Sequence, residues 1–185
     1  GGLGGLGLLT ARLLLDSGAS NVALWSRSDR VLPGSEADLQ SLRTYAVRVH
    51  RYRTDVSSLR SVTMAISHIH AAALRICGIF HAAHTLVDGT LANQFAVNFR
   101  KSYGSKVHGA AALHSMNAPL RHFNLFSSVA GLLGSAGQSP HSAANASLDS
   151  WVAHRHTRGL RALSVSWGAV AEIGYAARHG ADHRA

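Results

Sequence analysis

Cysteine is almost missing from this chain: Cys77 is the only one in 185 residues. An internal disulfide is therefore excluded, and the sequence suits a reducing, cytoplasmic setting. Cys77 sits in the apolar, strand-like run Leu74-Arg75-Ile76-Cys77-Gly78-Ile79-Phe80 and is expected to be an inert core thiol. Acids are scarce too, with nine Asp and Glu against 18 Lys and Arg, a net charge of +9 with histidine neutral. That balance favours anionic partners. No apolar run approaches the ~20 residues of a membrane span, and no basic-then-apolar signal segment opens the chain. No membrane partner is expected. The 13 histidines lack metal spacing, because His68/His70 and His154/His156 are i, i+2 pairs that do not share a helix face. No metal is expected. The basic residues, among them Arg27, Arg43, Arg51, Arg53, Arg60, Lys101, Arg121 and Arg155, are scattered and not interleaved with aromatics, which argues against nucleic acid. Diffuse positive charge suits a phosphorylated cofactor or an acidic carrier protein.

What is present is a folded domain, 46% hydrophobic and 15% charged. Val-rich or apolar strand candidates occupy 21–27, 46–56, 74–83, 122–128 and 162–168. The third has the near-continuous apolar character of a strand buried on both faces. Helix-like stretches at 6–17, 35–43, 57–72, 88–102, 105–117 and 141–158 separate them. Strand and helix alternating at this spacing predict an α/β fold with a parallel sheet and crossover helices. No repeat, low-complexity tract or linker interrupts it.

The chain opens on Gly1-Gly2-Leu3-Gly4-Gly5-Leu6-Gly7. Glycines at 1, 5 and 7 allow a tight turn and close approach to a pyrophosphate, and the next helix would aim its first amides at the phosphates. Such a loop normally follows a strand, so the sequence reads as a fragment lacking its first, central strand. About 20 residues on, a dinucleotide site reads the ribose 2′ position. Ser26-Arg27-Ser28 offers an arginine there and no acid before Asp29, which points to NADP over NAD. Asp55, in Thr54-Asp55-Val56, can meet an adenine amino group or cap a helix. Ala82 and Ala83 follow the third strand and are small enough to let a cofactor pass close to the backbone.

The remaining residues of interest are Lys106, Ser128, His141 and Asn145. The motifs GGLGGLG, LWSRS, TDVSS, GIFHAAHTLVDGTL, KVHGAAALH, FSSVAGLLGSAGQ, AANASLD and LSVSWGAVAEIG run in order along almost the whole chain. In that set the sequence resembles the ketoreductase domain of modular polyketide synthases and animal-type fatty acid synthases, a branch of the short-chain dehydrogenases/reductases. The resemblance implies a Rossmann-type, doubly wound parallel sheet with helices on both faces. It implies one NADP-binding domain over 1–185, truncated at both ends and without the C-terminal lid. The reaction implied is NADPH-dependent reduction of a β-ketoacyl thioester to the β-hydroxyacyl thioester. The substrate rides on the phosphopantetheine of an acyl carrier protein, beside neighbouring synthase domains. Cofactor contacts fall on Gly1, Gly5, Leu6, Gly7, Ser26, Arg27, Asp55, Val56, Ala82 and Ala83. The catalytic Ser falls on Ser128, the Lys on Lys106 and the Asn on Asn145.

The general acid of that family is a tyrosine thirteen residues after the Ser, and here the position is His141. Hydride addition builds negative charge on the carbonyl oxygen, so a donor and a proton are both required. Ser128 can donate. His141 can carry a proton, but its ring is shorter than a phenol, and Lys106 beside it would favour the neutral form. Two expectations follow: a working enzyme with a replacement acid, or a ketoreductase-like structural domain without chemistry. Two departures bear on the choice. His84 replaces a family glycine, and the segment between Lys106 and Ser128 is two residues short. Asp88, in Leu86-Val87-Asp88, keeps the more telling acid of the signature for a D-configured alcohol, or else caps the next helix. Leu133 stands where the opposite type has a tryptophan. A Ser128–His141–Asp149 hydrolase is disfavoured, because no G-x-S-x-G elbow surrounds Ser128.

Overall fold

A helix between two strands returns the chain to the same end of a sheet, so strands that alternate with helices pair in parallel. The computed structural model describes residues 1–45, 48–116 and 119–170. It contains all five expected strands: β1 (Asn21–Ser26), β2 (Arg48–Arg53), β3 (Gly78–His81), β4 (His122–Ser128) and β5 (Leu163–Trp167). The pairs β1–β2, β3–β4 and β4–β5 are all parallel. The helices are α1 (Gly5–Asp16), α2 (Glu36–Ser41), α3 (Leu59–Ala71), α4 (Ala96–Tyr103), α5 (Gly109–His114), α6 (Ala130–Leu133) and α7 (Ser139–Thr157).

The chain divides into two units, with Gly1–Asp55 in the first and Val56–Gly168 in the second. In the first, Leu8, Ala11 and Leu15 recur at helical spacing on α1, and Val22 and Leu24 alternate on β1. With Leu3 and Leu42 they form its core. The second unit is built on β4, which lies between β3 and β5. Phe123 and Leu125 of β4 are fully buried, as are Val62 of α3, Ala110 of α5 and Ala144 and Leu148 of α7. Full burial of one such large side chain contributes about 1.5–3 kcal/mol.

Three expectations are corrected. The strand expected over 74–83 is confined to Gly78–His81 and only half-buried except at His81. β3 pairs on one side only, with β4, among the described residues. Cys77, just before it, is therefore exposed and is not a core thiol. The helix expected over 88–102 starts only at Ala96. Gln94 donates its side-chain amide to the carbonyls of Val87 and Gly89, both at 3.1 Å, and holds that stretch as a loop. Arg155, one of the scattered basic residues, is 3% exposed. Its guanidinium lies 3.9 Å from the Phe123 ring centre and donates to the Arg161 carbonyl from Nε and Nη2. The lid and the end of LSVSWGAVAEIG, Ala171–Gly174, lie outside the described residues, as do Ala46 and Val47 at the head of the second expected strand.

Candidate active site

The glycine loop turns tightly onto the end of β1. Gly2 donates its N–H to Trp25 O at 2.9 Å, and Gly4 donates to Gly1 O at 3.1 Å. A Cβ at Gly7 would stand 2.2 Å from Gly1 O, so the turn admits only glycine there. Gly5 begins α1, and no side chain caps the helix. The amides of Gly5, Leu6 and Gly7, with no acid in the first turn, therefore remain available to an anion. Ser26 ends β1, and Arg27 follows it, exposed. An uncapped helix start on a glycine turn, next to exposed arginine, fits a phosphorylated dinucleotide. Asp55 closes this unit half-buried, and Val56 opens the second unit at 8% exposure.

Lys106 occupies a π-helical turn, Gly104–His108, inserted between α4 and α5. Such turns widen the helix by one residue and re-aim a side chain. The lysine is 5% exposed, and its Nζ donates to Phe126 O of β4 at 2.7 Å. Burial lowers its ammonium from 10.5 to about 8, opposed by the negative charge of Asp149. Sequence reasoning missed the residue that holds this turn. His81 ends β3 at 3% exposure, with its Nε2 3.1 Å from Lys106 O. A carbonyl only accepts, so Nε2 carries the proton. The available signal was a polar ring closing the apolar run Gly78-Ile79-Phe80-His81.

Two expected outcomes follow from His81. A Cβ at Gly109 would lie 2.9 Å from His81 Cε1 and 3.1 Å from Val56 Cγ2. Gly109→Ala should therefore destabilise the second unit by about 1–3 kcal/mol in urea unfolding, as overpacking does. Burial first, and the charge of Lys106, lower His81 from 6.5 to about 3. Between those values the unfolded chain binds the proton and the folded chain does not, so stability falls as pH falls from about 6.5 towards 3. Urea midpoints against pH should show that slope, and His81→Gln, which keeps a donor but does not titrate, should flatten it.

Ser128 ends β4, half-buried, and its Oγ accepts from Ala130 N at 3.2 Å. Its hydroxyl proton has no acceptor among the described residues. Asn145 is wholly buried on α7 and donates Nδ2 to His141 O at 2.8 Å, while its Oδ1 has no partner. The backbone O of Asn145 accepts from Ser127 at 3.3 Å, which ties α7 to β4. Gly131 lets α6 close on this point, since a Cβ there would be 3.0 Å from Ala146 N. His141 lies one turn before Asn145, with Pro140 in the helix's first turn. Its Nδ1 is buried without a partner. Burial, then Lys106, then His84 lower His141 from 6.5 to about 4, with Asp88 opposing. The imidazole is therefore neutral at pH 7.

Ala82 and Ala83 are half-buried after β3, and His84 is exposed. The segment that follows is pinned to the start of α7, as Gly89 donates to Gly137 O at 2.9 Å. Gln138 Nε2 donates to Asp88 Oδ2 at 3.1 Å. Asp88 is thus held by Gln138, the residue before α7, and is not a helix cap. Leu133 ends α6 at 85% exposure. Asp149 accepts from the Ser164 hydroxyl through Oδ1, its Oδ2 is without a partner, and His141 makes no bond to it. The hydrolase triad is therefore not assembled. No group of three His, Cys, Asp or Glu suited to a metal occurs, and no helix is long and apolar enough to cross a membrane, among the described residues.

A model of the KR domain family matches residues 1–172. A phthioceranic/hydroxyphthioceranic acid synthase of Mycobacterium tuberculosis H37Rv is 36% identical over 176 residues, which are 94% of this chain and 8% of the synthase. Polyketide synthase GfsB of Streptomyces halstedii is 37% identical across 100% of this chain and 3% of its own length. The chain thus spans under a tenth of these relatives. Among solved structures, the ketoreductase from the first module of phoslactomycin biosynthesis in Streptomyces sp. HK803 aligns with a TM-score of 0.88 at 33% identity, over 94% of this chain and 41% of that one. An A1-type ketoreductase aligns with a TM-score of 0.91 at 31% identity, over 99% of this chain and 39% of that one.

Proposed function

The chain belongs to the KR domain family, and on that premise we propose that it is an NADPH-dependent β-ketoacyl reductase domain of a polyketide or fatty acid synthase, slowed at neutral pH by its proton donor. The observation that carries the reading is the convergence of Lys106, Asn145 and His141 on the end of β4 that bears Ser128. NADPH, when bound, supplies the hydride. Ser128 keeps its proton and donates a hydrogen bond from its hydroxyl to the ketone oxygen as negative charge grows there. His141, in its minor protonated form, supplies the proton to that oxygen. Lys106, fixed by Phe126 O, adds positive charge in a buried setting. Asn145 Oδ1 offers an acceptor to that cluster.

The glycine turn and the first amides of α1 are proposed to hold the pyrophosphate, and Arg27 the 2′-phosphate. Asp55, Val56, Ala82 and Ala83 are proposed to line the rest of the cofactor. Asp88 is proposed to favour the D-configured alcohol, with Leu133 in place of the opposing tryptophan. The substrate is a β-ketoacyl group on an acyl carrier protein, and the net positive charge favours that acidic partner. NADPH oxidation by the intact protein with a β-ketoacyl thioester tests the reading, and turnover no faster than buffer would defeat it. A second reading, a catalytically inactive ketoreductase-like structural domain of a megasynthase, is favoured by the burial and the Lys106 charge that lower His141 to about 4.

A further inference from the structure

Arg51 and Arg53 lie two apart on β2 and so share a face of the strand. Both side chains reach across to the segment that follows β1. Arg51 donates from Nε to Asp29 Oδ1 at 3.0 Å, and from Nη2 to the Asp29 carbonyl at 2.7 Å. That grip accompanies a left-handed conformation of Asp29, φ 52°, and pairs its carboxylate, two residues after Arg27. Arg53 stands opposite Ser26 in the register and donates Nε to the Arg27 carbonyl at 3.2 Å. Both of its Nη groups are left without a partner among the described residues. Thr54 donates to Ser26 O at 2.9 Å and carries the pairing one residue past the strand ends. Two exposed guanidiniums therefore flank the position where the cofactor's ribose is read, and the adjacent acid is already occupied.

We propose that Arg53 is a second cation for the 2′-phosphate, so that the preference for NADPH over NADH is set from β2 as well as from Arg27. The inference rests on the cofactor reading above. A phosphate monoester carries between one and two negative charges at pH 7, which one arginine does not balance. A guanidinium held through Nε presents its Nη edge to phosphate oxygens in a fixed geometry. Arg51 contributes indirectly, because it occupies Asp29, whose carboxylate would otherwise repel the phosphate.

The test is equilibrium binding of NADPH and NADH to the intact protein, wild type and Arg53→Ala, with Arg60→Ala on α3 as a control for lost charge. Arg53→Ala should weaken NADPH roughly tenfold and leave NADH unchanged. Arg60→Ala should change neither. Adenosine 2′,5′-bisphosphate should lose as much as NADPH. Tight NADPH binding that is indifferent to Arg53→Ala would overturn the inference and leave the cofactor reading intact. Equal weakening of both nucleotides, or a similar loss in Arg60→Ala, would also overturn it. Failure of the wild type to bind either nucleotide would overturn the cofactor reading itself.

Discussion

His141→Tyr is expected to raise NADPH oxidation with a β-ketoacyl thioester at pH 7 by roughly 100-fold or more. With His141 lowered to about 4, the protonated imidazole is about one part in a thousand at pH 7. Its neutral ring is a poor acid. A phenol differs because its neutral form is the proton donor, so burial and a neighbouring ammonium do not remove the proton before the reaction begins. Lys106 then works in favour of the reaction, by stabilising the phenolate that remains. The change lengthens the side chain at a half-buried position in the first turn of α7, where Nδ1 has no partner to lose. Parallel Michaelis–Menten measurements check the expectation. The gain should appear in kcat, and an unchanged or reduced kcat would contradict the role given to position 141.

Lys106→Met in the His141→Tyr background is expected to cost about 100- to 1000-fold in kcat with little loss of stability. The two halves of this expectation have separate origins. Nζ is a positive charge held 2.7 Å from Phe126 O, near the end of β4, and cannot be replaced by a thioether. In the fold, however, its burial is unfavourable. An ammonium lowered from 10.5 to about 8 carries a charge penalty on the order of 3 kcal/mol at neutral pH. Removing it relieves that penalty and loses the bond to Phe126 O, at a cost of about 1–3 kcal/mol. The two nearly cancel, and methionine fills a similar volume. Urea unfolding alongside kinetics separates the effects. A large drop in stability with no change in kcat would make Lys106 a structural residue.

Much of the fold was legible because its signals are local. Alternating Val22 and Leu24, or Leu8, Ala11 and Leu15 at helical spacing, state their own burial. The glycine turn was legible because only glycine tolerates so close an approach to Gly1 O. Less legible was anything decided by distant partners. Cys77 read as core from its apolar neighbours, but its exposure depends on which strands pair beside β3. The delayed start of α4 depends on Gln94 bonding backward to the loop, which helix propensity does not contain. Nothing in the sequence separated Arg155 from the other scattered basic residues, yet the Phe123 face and the Arg161 carbonyl draw it in. The assignment of Lys106, Ser128, His141 and Asn145 to the proposed site came from the order of motifs. The π turn, the His81 bond that holds it and the clearance at Gly109 come from tertiary packing, for which the sequence showed only a histidine at a strand end and a run of small residues.

The most direct measurement is the pH–rate profile of the wild-type protein with NADPH and a β-ketoacyl thioester between pH 5 and 8. With His141 as the acid and its proton lost near pH 4, the rate should rise about tenfold for each unit of falling pH across that range. In His141→Tyr this dependence should disappear. A wild-type rate that is flat from pH 5 to 8, or NADPH binding without turnover at any of these pH values, would contradict His141 as the proton donor.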